Sequence, residues 1–166
     1  MASVSLTSLD FRRALGQFAT GVTVVTVECG PRQVHGMTAN SFTSVSLIPP
    51  LVSICVDERA HLLPLIKRRR LFGVNVLKKD QQLVSEFFAR PEPVHSELPE
   101  GRISFRWDAD NIPLLEGVLC QVSCRLHSTL VAGDHTIVVG EVLSAALYPG
   151  EPLIYFRGDY TELSRS

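Results

Sequence analysis

Two long strand-like stretches, Val118 to Thr129 and Thr136 to Leu147, flank the turn Ala132-Gly133-Asp134 and constrain this chain more than any other feature in it. A hairpin of that length is marginal by itself, so the rest of the chain has to supply strands to pair with it. It does. Val22 to Glu28 (VTVVTVE) alternates threonine and valine as a half-buried strand does, and Gly30-Pro31 turns it back into Val34 to Ala39. Leu51 to Val56, Phe72 to Leu77 (FGVNVL) and Leu153 to Phe156 read as further strands. At least seven strands with few helices predict a mainly β fold with short helices, built as a closed antiparallel barrel.

The helices are short and punctuated. Leu9 to Thr20 places Phe11, Ala14, Leu15 and Phe18 on one apolar face, with Ser8 as N-cap and Gly21 as the stop. His61 to Arg70 has a basic C-terminal end that suits the helix dipole, and Lys67-Arg68-Arg69-Arg70 reads as a solvated face. Asp80 is placed to cap a third helix carrying Leu83, Val84, Phe87 and Phe88 on one side, which Pro91 stops. Arg90 to Asn111, with three prolines and little periodicity, predicts a long loop of the kind that covers sites.

At 166 residues, with no internal repeat and no linker, residues 1–166 predict one domain. A hydrophobic content of 45%, a charged content of 20% and a net charge of −1 exclude a disordered chain and give no reason to expect nucleic acid as a partner. The N-terminus lacks a basic segment followed by an apolar one, and no apolar run approaches the ~20 residues that span a bilayer, so no membrane segment and a cytoplasmic location are expected. The four cysteines, Cys29, Cys55, Cys120 and Cys124, read as reduced and buried. Cys120 and Cys124 share a strand face without a completing Cys/His pair, and His35, His95 and His127 are scattered, so no metal site is expected.

Chemistry concentrates in Gly36 to Val56, GMTANSFTSVSLIPPLVSICV. Thr38, Asn40, Ser41, Thr43, Ser44 and Ser46 add little to a core but offer short hydrogen-bonding groups beside backbone amides, a composition suited to a polar ligand. No G-x-S-x-G elbow follows a strand and no G-x-G-x-x-G opens a helix, so neither a hydrolase nor a Rossmann nucleotide site is expected.

Five segments, in order and covering most of the chain, resemble the small flavin reductases, the reductase components of two-component flavin monooxygenases. They are FRRALGQFATGVTVVT from Phe11, the Gly36 to Val56 segment, FGVNVL from Phe72, AGDHTIVVGEV from Ala132 and PLIYFRGDY from Pro152. DERAHLLPLI from Asp57 is most similar to the reductases that serve 4-hydroxyphenylacetate and other phenol hydroxylases.

The resemblance implies an antiparallel FMN-binding split β-barrel, a homodimer, and an NAD(P)H:flavin oxidoreductase that hands reduced flavin to a separate oxygenase component. It places Thr38, Ala39, Asn40 and Ser41 along the isoalloxazine and ribityl, and Ser44, Val45 and Ser46 toward the ribityl and phosphate. Cys55, Val56 and Asp57 follow on the next strand. Where the family often has a small Asn, Ser or Thr near the flavin phosphate, this chain has Arg59, Ala60 and His61. Arg59 is open to two readings, a phosphate partner or a solvent-facing side chain. His135, in the family's Gly-Asp-His pattern, is implied to position the nicotinamide. Asn75 is open between a buried amide and a ligand contact. Arg157 and Tyr160 are open between closing over the site and lying at a subunit boundary. NADH or NADPH, and FMN or FAD, are likewise left open. A flavin- or haem-binding split barrel without turnover, an interaction module that binds no flavin, and an enzyme like the pyridoxamine-phosphate oxidases are the competing readings.

Overall fold

The structure is a computed structural model that describes residues 6–91 and 103–163. In chain order its elements are α1 (Ser8–Leu15), β1 (Thr20–Gly21), β2 (Thr23–Gly30), β3 (Gln33–Ala39), β4 (Thr43–Leu47), β5 (Pro50–Asp57), α2 (Leu62–Arg69) and β6 (Leu71–Val76). A 3-10 turn (Lys79–Gln81) leads into α3 (Gln82–Phe88), and then come β7 (Phe105–Trp107), β8 (Pro113–Leu115), β9 (Cys120–Ala132), β10 (His135–Leu147), β11 (Ile154–Phe156) and β12 (Asp159–Thr161).

The long hairpin is the spine of the fold. β9 and β10 pair from His135 opposite Ala132 to Leu147 opposite Cys120, and Gly133 takes φ +67° in the two-residue turn. Further strands add on both sides, giving a seven-stranded antiparallel sheet in the order β3-β2-β6-β9-β10-β5-β4. The two outermost strands, β3 and β4, are joined by residues 40–42 alone, and a connection that short holds their ends within roughly 14 Å of each other. The sheet is therefore rolled, with its edges meeting at β3 and β4. Full closure, expected from the strand count, is replaced by a seam, because β3 and β4 are not hydrogen-bonded neighbours: the barrel is split, as the family resemblance implies.

Strand alternation fills the interior. Val52, Ile54 and Val56 of β5 point inward, where they meet Val25 and Val27 of β2, Phe72 and Val74 of β6, Val122, Cys124 and Leu126 of β9 and Val138 of β10. The amphipathic helix α2 seals this core with Leu62, Leu63 and Ile66. Phe72 fits only because position 140 lacks a side chain: a Cβ there would lie 2.6 Å from the ring. A second cluster, around Val24, Leu77, Val84, Phe87, Phe88 and Leu115, seats α3.

Several expectations fail for physical reasons. Helix α1 ends at Leu15, not Thr20, because Thr20 and Gly21 are drawn into pairing with Tyr155 and Ile154 of β11. Its N-cap is Thr7, whose hydroxyl accepts the Asp10 N–H at 3.1 Å, in place of Ser8. Its apolar face is not core-facing, since no residue of α1 is buried. Asp80 sits inside the 3-10 turn, where the Gln81 side chain accepts the Lys78 N–H, and Leu83 is exposed. Part of the predicted 90–111 loop is strand, as β7 pairs with β8; residues 92–102, His95 among them, lie outside the described residues. Among the cysteines only Cys124 is buried, the others being half-buried and all four free. The basic run is not wholly solvated: Arg69 pairs with Glu28, and Arg70 donates to the Leu126 carbonyl at 2.9 Å. Asn75 is a buried amide, its Nδ2 donating to the Val24 carbonyl and Thr26 Oγ1 and its Oδ1 accepting the Leu115 N–H.

Candidate functional site

The seam is where the polar segment lies. As β3 leaves the sheet, Gly36 lets α3 come close, for a Cβ at that position would stand 2.6 Å from the Phe88 ring. Thr38 donates from Oγ1 to the Ser85 carbonyl at 2.6 Å, and the Ser85 hydroxyl is bonded to the Tyr160 hydroxyl at 2.8 Å. The Ala39 carbonyl accepts the Thr23 hydroxyl at 2.7 Å. Ser41 then bridges to β5: its Oγ accepts the Cys55 N–H at 2.9 Å and donates to the Cys55 carbonyl at 3.3 Å. Thr38 to Ser41 thus cross from one edge of the sheet to the other under hydrogen-bond restraint.

Three cavities follow this crossing. One of about 590 Å³ is lined by residues 35–38, Asp57, residues 59–62 and residues 88–91. A second, of about 180 Å³, shares Thr38 and Ala89 with it and adds Val22, Ala39, Asn40, Ser85, Tyr155 and Tyr160. The third, of about 780 Å³, shares Asn40 with the second and is lined by Ser41, Phe42, Thr43, Thr20, Thr23 and the apolar Leu15, Phe18 and Val76. Of the residues singled out in the sequence, Thr38, Ala39, Asn40, Ser41, Asp57, Arg59, Ala60 and His61 come together along these cavities. Ser44, Val45 and Ser46 lie on β4 around a bulge and line none of the three. Cys55 touches the site through its backbone bonds to Ser41, whereas Val56 points into the core.

The cavity of about 590 Å³ carries most of the charge. Arg59 grips the Asp57 carboxylate through Nε at 3.0 Å and Nη2 at 2.8 Å, and its own N–H reaches Oδ1 at 2.8 Å. These bonds hold the Asp57 carboxyl well below the usual carboxylate range and push the guanidinium up. Arg59 is therefore a paired side chain at an exposed rim. His61 is the N-cap residue of α2 without a capping side-chain bond, and its ring stands edge-on to His35 at 6.4 Å between centroids. His135 opens β10 directly opposite Asp57 in register, with Nδ1 bonded to Asp134 Oδ1 at 2.7 Å. That contact lowers the Asp134 carboxyl. The Asp134 carbonyl in turn accepts the Glu58 N–H at 3.0 Å, tying the hairpin turn to the end of β5.

His35, Ser85, Ala89 and Tyr155 join the site without having been singled out as binding residues, and Tyr160, left open in the sequence, lines the cavity of about 180 Å³. His35 had a local signal, standing next to Gly36 on the same strand as Thr38. Ser85 had none, since its bond to Tyr160 links residues 75 apart. Arg157 is structural: at φ +54° it begins the Arg157-Gly158 turn, its N–H donates to the Gly16 carbonyl at 2.8 Å, and Nε reaches Gln17 at 3.0 Å. Among the described residues no group of three or more His, Cys, Asp or Glu is arranged to hold a metal ion, and no helix is long and apolar enough to cross a membrane. A furrow with aromatic and small polar walls at one end, and a helix N-terminus beside cationic side chains at the other, suits a ligand with a flat ring system and an anionic tail.

Comparison with known proteins agrees with that shape. The family model described as the flavin reductase like domain matches residues 15–164. The chain is 42% identical to an NADH-dependent flavin reductase of a Rhodococcus species, over 95% of this chain and 88% of that one. It is also 42% identical to the reductase component of 4-hydroxyphenylacetate 3-monooxygenase of Thermus thermophilus, over 92% and 95%. Among solved structures, the NADH:FAD oxidoreductase of Streptomyces globisporus in complex with NAD and FAD fragments superposes with a TM-score of 0.83 at 37% identity, covering 94% of this chain and 92% of that one. With a family match across nearly its whole length and relatives this similar, the chain belongs to the flavin reductase like domain family.

Proposed function

We propose that this flavin reductase, acting as one domain, uses NADH to reduce FMN or FAD and releases the reduced flavin to a separate oxygenase component. The observation that carries the reading is the Thr38 to Ser41 crossing, with neighbouring cavities that share its residues, in a chain whose relatives are named as NADH-dependent flavin, FMN and FAD reductases. The residues present fit a flavin. The seam offers the hydroxyl of Thr38 and the exposed Asn40 for a ring edge, and Tyr155 and Tyr160 supply aromatic surface at 5.4 Å from each other. The N-terminus of α2, beside His61, Arg59 and His35, would receive the phosphate.

When bound, the flavin supplies the hydride acceptor at N5. The chain supplies placement. Ser41 fixes the crossing against β5, and the Thr38–Ser85 and Ser85–Tyr160 bonds fix the wall formed by α3 and β12. His135, held by Asp134 beside Asp57, would orient the nicotinamide amide, and no acid is required of it because the transferred group is a hydride.

The oxygenase partner is supported by relatives named as reductase components, among them that of 4-hydroxyphenylacetate 3-monooxygenase and that of a bacterial two-component tryptophan halogenase. A homodimer is supported by the exposed apolar face of α1, and a cytoplasmic location by four free cysteines. The test is anaerobic mixing of the protein with excess FMN and NADH, followed through the visible absorbance of the flavin. Bleaching over many turnovers is expected. Flavin binding without bleaching would leave a flavin-binding barrel that does not turn over.

A further inference from the structure

Thr38 has one hydroxyl proton, and it is committed. It is donated to the Ser85 carbonyl at 2.6 Å, a short O–H···O contact. Ser85 is fully buried and held from three directions: its carbonyl also accepts the Ala89 N–H at 3.0 Å, its hydroxyl is bonded to Tyr160, and its backbone lies inside α3. Thr38 also lines both the cavity of about 590 Å³ and the one of about 180 Å³. A hydroxyl whose proton is spoken for offers only lone pairs to whatever occupies those cavities.

We propose that Thr38 acts as an acceptor-only group that favours reduced over oxidised flavin, a role that rests on the flavin reading above. The oxidised ring carries one N–H, at N3, among several acceptors. Two-electron reduction, with the hydride coming from NADH, turns N5 from an acceptor into an N–H donor. An acceptor-only hydroxyl gains a partner by that change, whereas against oxidised N5 it sets lone pair against lone pair. Serving the oxidised ring as a donor would require Thr38 to abandon the Ser85 carbonyl. The binding energy is thereby placed on the product side of the electron transfer, and the bound flavin becomes easier to reduce than the free one.

The experiment measures dissociation constants for oxidised FMN and for chemically reduced FMN, both under anaerobic conditions, in the wild type, Thr38→Val and Thr38→Ser. Valine keeps the branched shape and removes the oxygen; serine keeps the oxygen. Thr38→Val is expected to weaken reduced FMN about fivefold to tenfold while leaving oxidised FMN unchanged or tighter, and Thr38→Ser to restore the wild-type ratio. Equal losses for both redox forms, or a ratio that does not move, would overturn the proposal and assign Thr38 to holding α3 or to N3–H. A wild type that binds neither form would overturn the flavin reading itself and this proposal with it, an outcome distinct from an unmoved ratio in a protein that binds FMN.

Discussion

Asp57, Arg59 and His135 show how three ordinary side chains become a rim. Arg59 pins the Asp57 carboxylate with two of its guanidinium nitrogens, and β-register places His135 across from Asp57. Because the folded Asp57 carboxyl lies below its unfolded value, the stability it adds is fully present above the usual carboxylate pKa of about 4 and is lost as pH falls through the depressed folded value. The urea midpoint of Asp57→Asn should therefore trail that of the wild type at neutral pH, and the gap should narrow progressively as pH falls below about 4. Arg59 is 87% exposed, so high salt should shrink the gap as well. His135→Ala should lower kcat/KM for NADH by about tenfold, the worth of one hydrogen-bonded contact, with the flavin dissociation constant unchanged. A matching loss of flavin affinity would instead make His135 part of the flavin site. Thr38 to Ser41, and Asp57, Arg59, Ala60 and His61, could be read as candidate site residues because each set is local in sequence and falls within a segment that resembles the family's. Ser85 could not, and Tyr160 stood open between two roles, because the Thr38–Ser85 and Ser85–Tyr160 contacts span 47 and 75 residues of chain and depend on how α3 and β12 pack.

At the scale of elements, the contact between β3 and α3 decides the shape of the cavity of about 590 Å³. Gly36 and Phe88 both line it, and a Cβ on residue 36 would sit 2.6 Å from the ring. Gly36→Ala should therefore displace Phe88, cost about 1–3 kcal/mol in denaturant unfolding, and weaken FMN binding. Unchanged stability and affinity would mean that α3 is free to shift, contrary to its anchoring by Thr38 and Tyr160. The strands that were legible, β2, β3, β5, β6, β9 and β10, carry their own alternation and all belong to the seven-stranded sheet. β7 and β8 were not, at three residues each. They are held by side chains from elsewhere: Asn75 accepts the Leu115 N–H, Gln121 donates to the Leu115 carbonyl at 2.6 Å, and Thr26 donates to the Pro113 carbonyl at 2.6 Å. Such short strands have no pattern of their own to read. Helix α1 was overdrawn for a related reason, since Phe18 continues its apolar pattern while Thr20 and Gly21 are captured by β11.

For the whole molecule, the telling fact is apolar surface where a monomer needs none. Phe11, Leu15 and Phe18 are 51%, 59% and 77% exposed, and Leu47 and Ile48, beyond the other side of the seam, are 87% and 94% exposed. Leu15 and Phe18 also line the cavity of about 780 Å³ together with Asn40 and Ser41, so whatever covers them also finishes the wall of the candidate site. A second copy of the chain, as proposed above, would meet that need by symmetry, and a stable two-fold interface requires about 1,200–2,000 Å² of total buried area. The expected solution mass is accordingly that of a dimer. The double variant Leu15→Lys, Phe18→Glu should sediment as a folded monomer, because no residue of α1 is buried within the chain and the barrel does not depend on it. FMN affinity should fall together with dimerisation, since the third cavity would lose its cover. A wild type that is monomeric at micromolar concentration with undiminished FMN affinity would remove the dimer from the account and leave the seam of one chain sufficient.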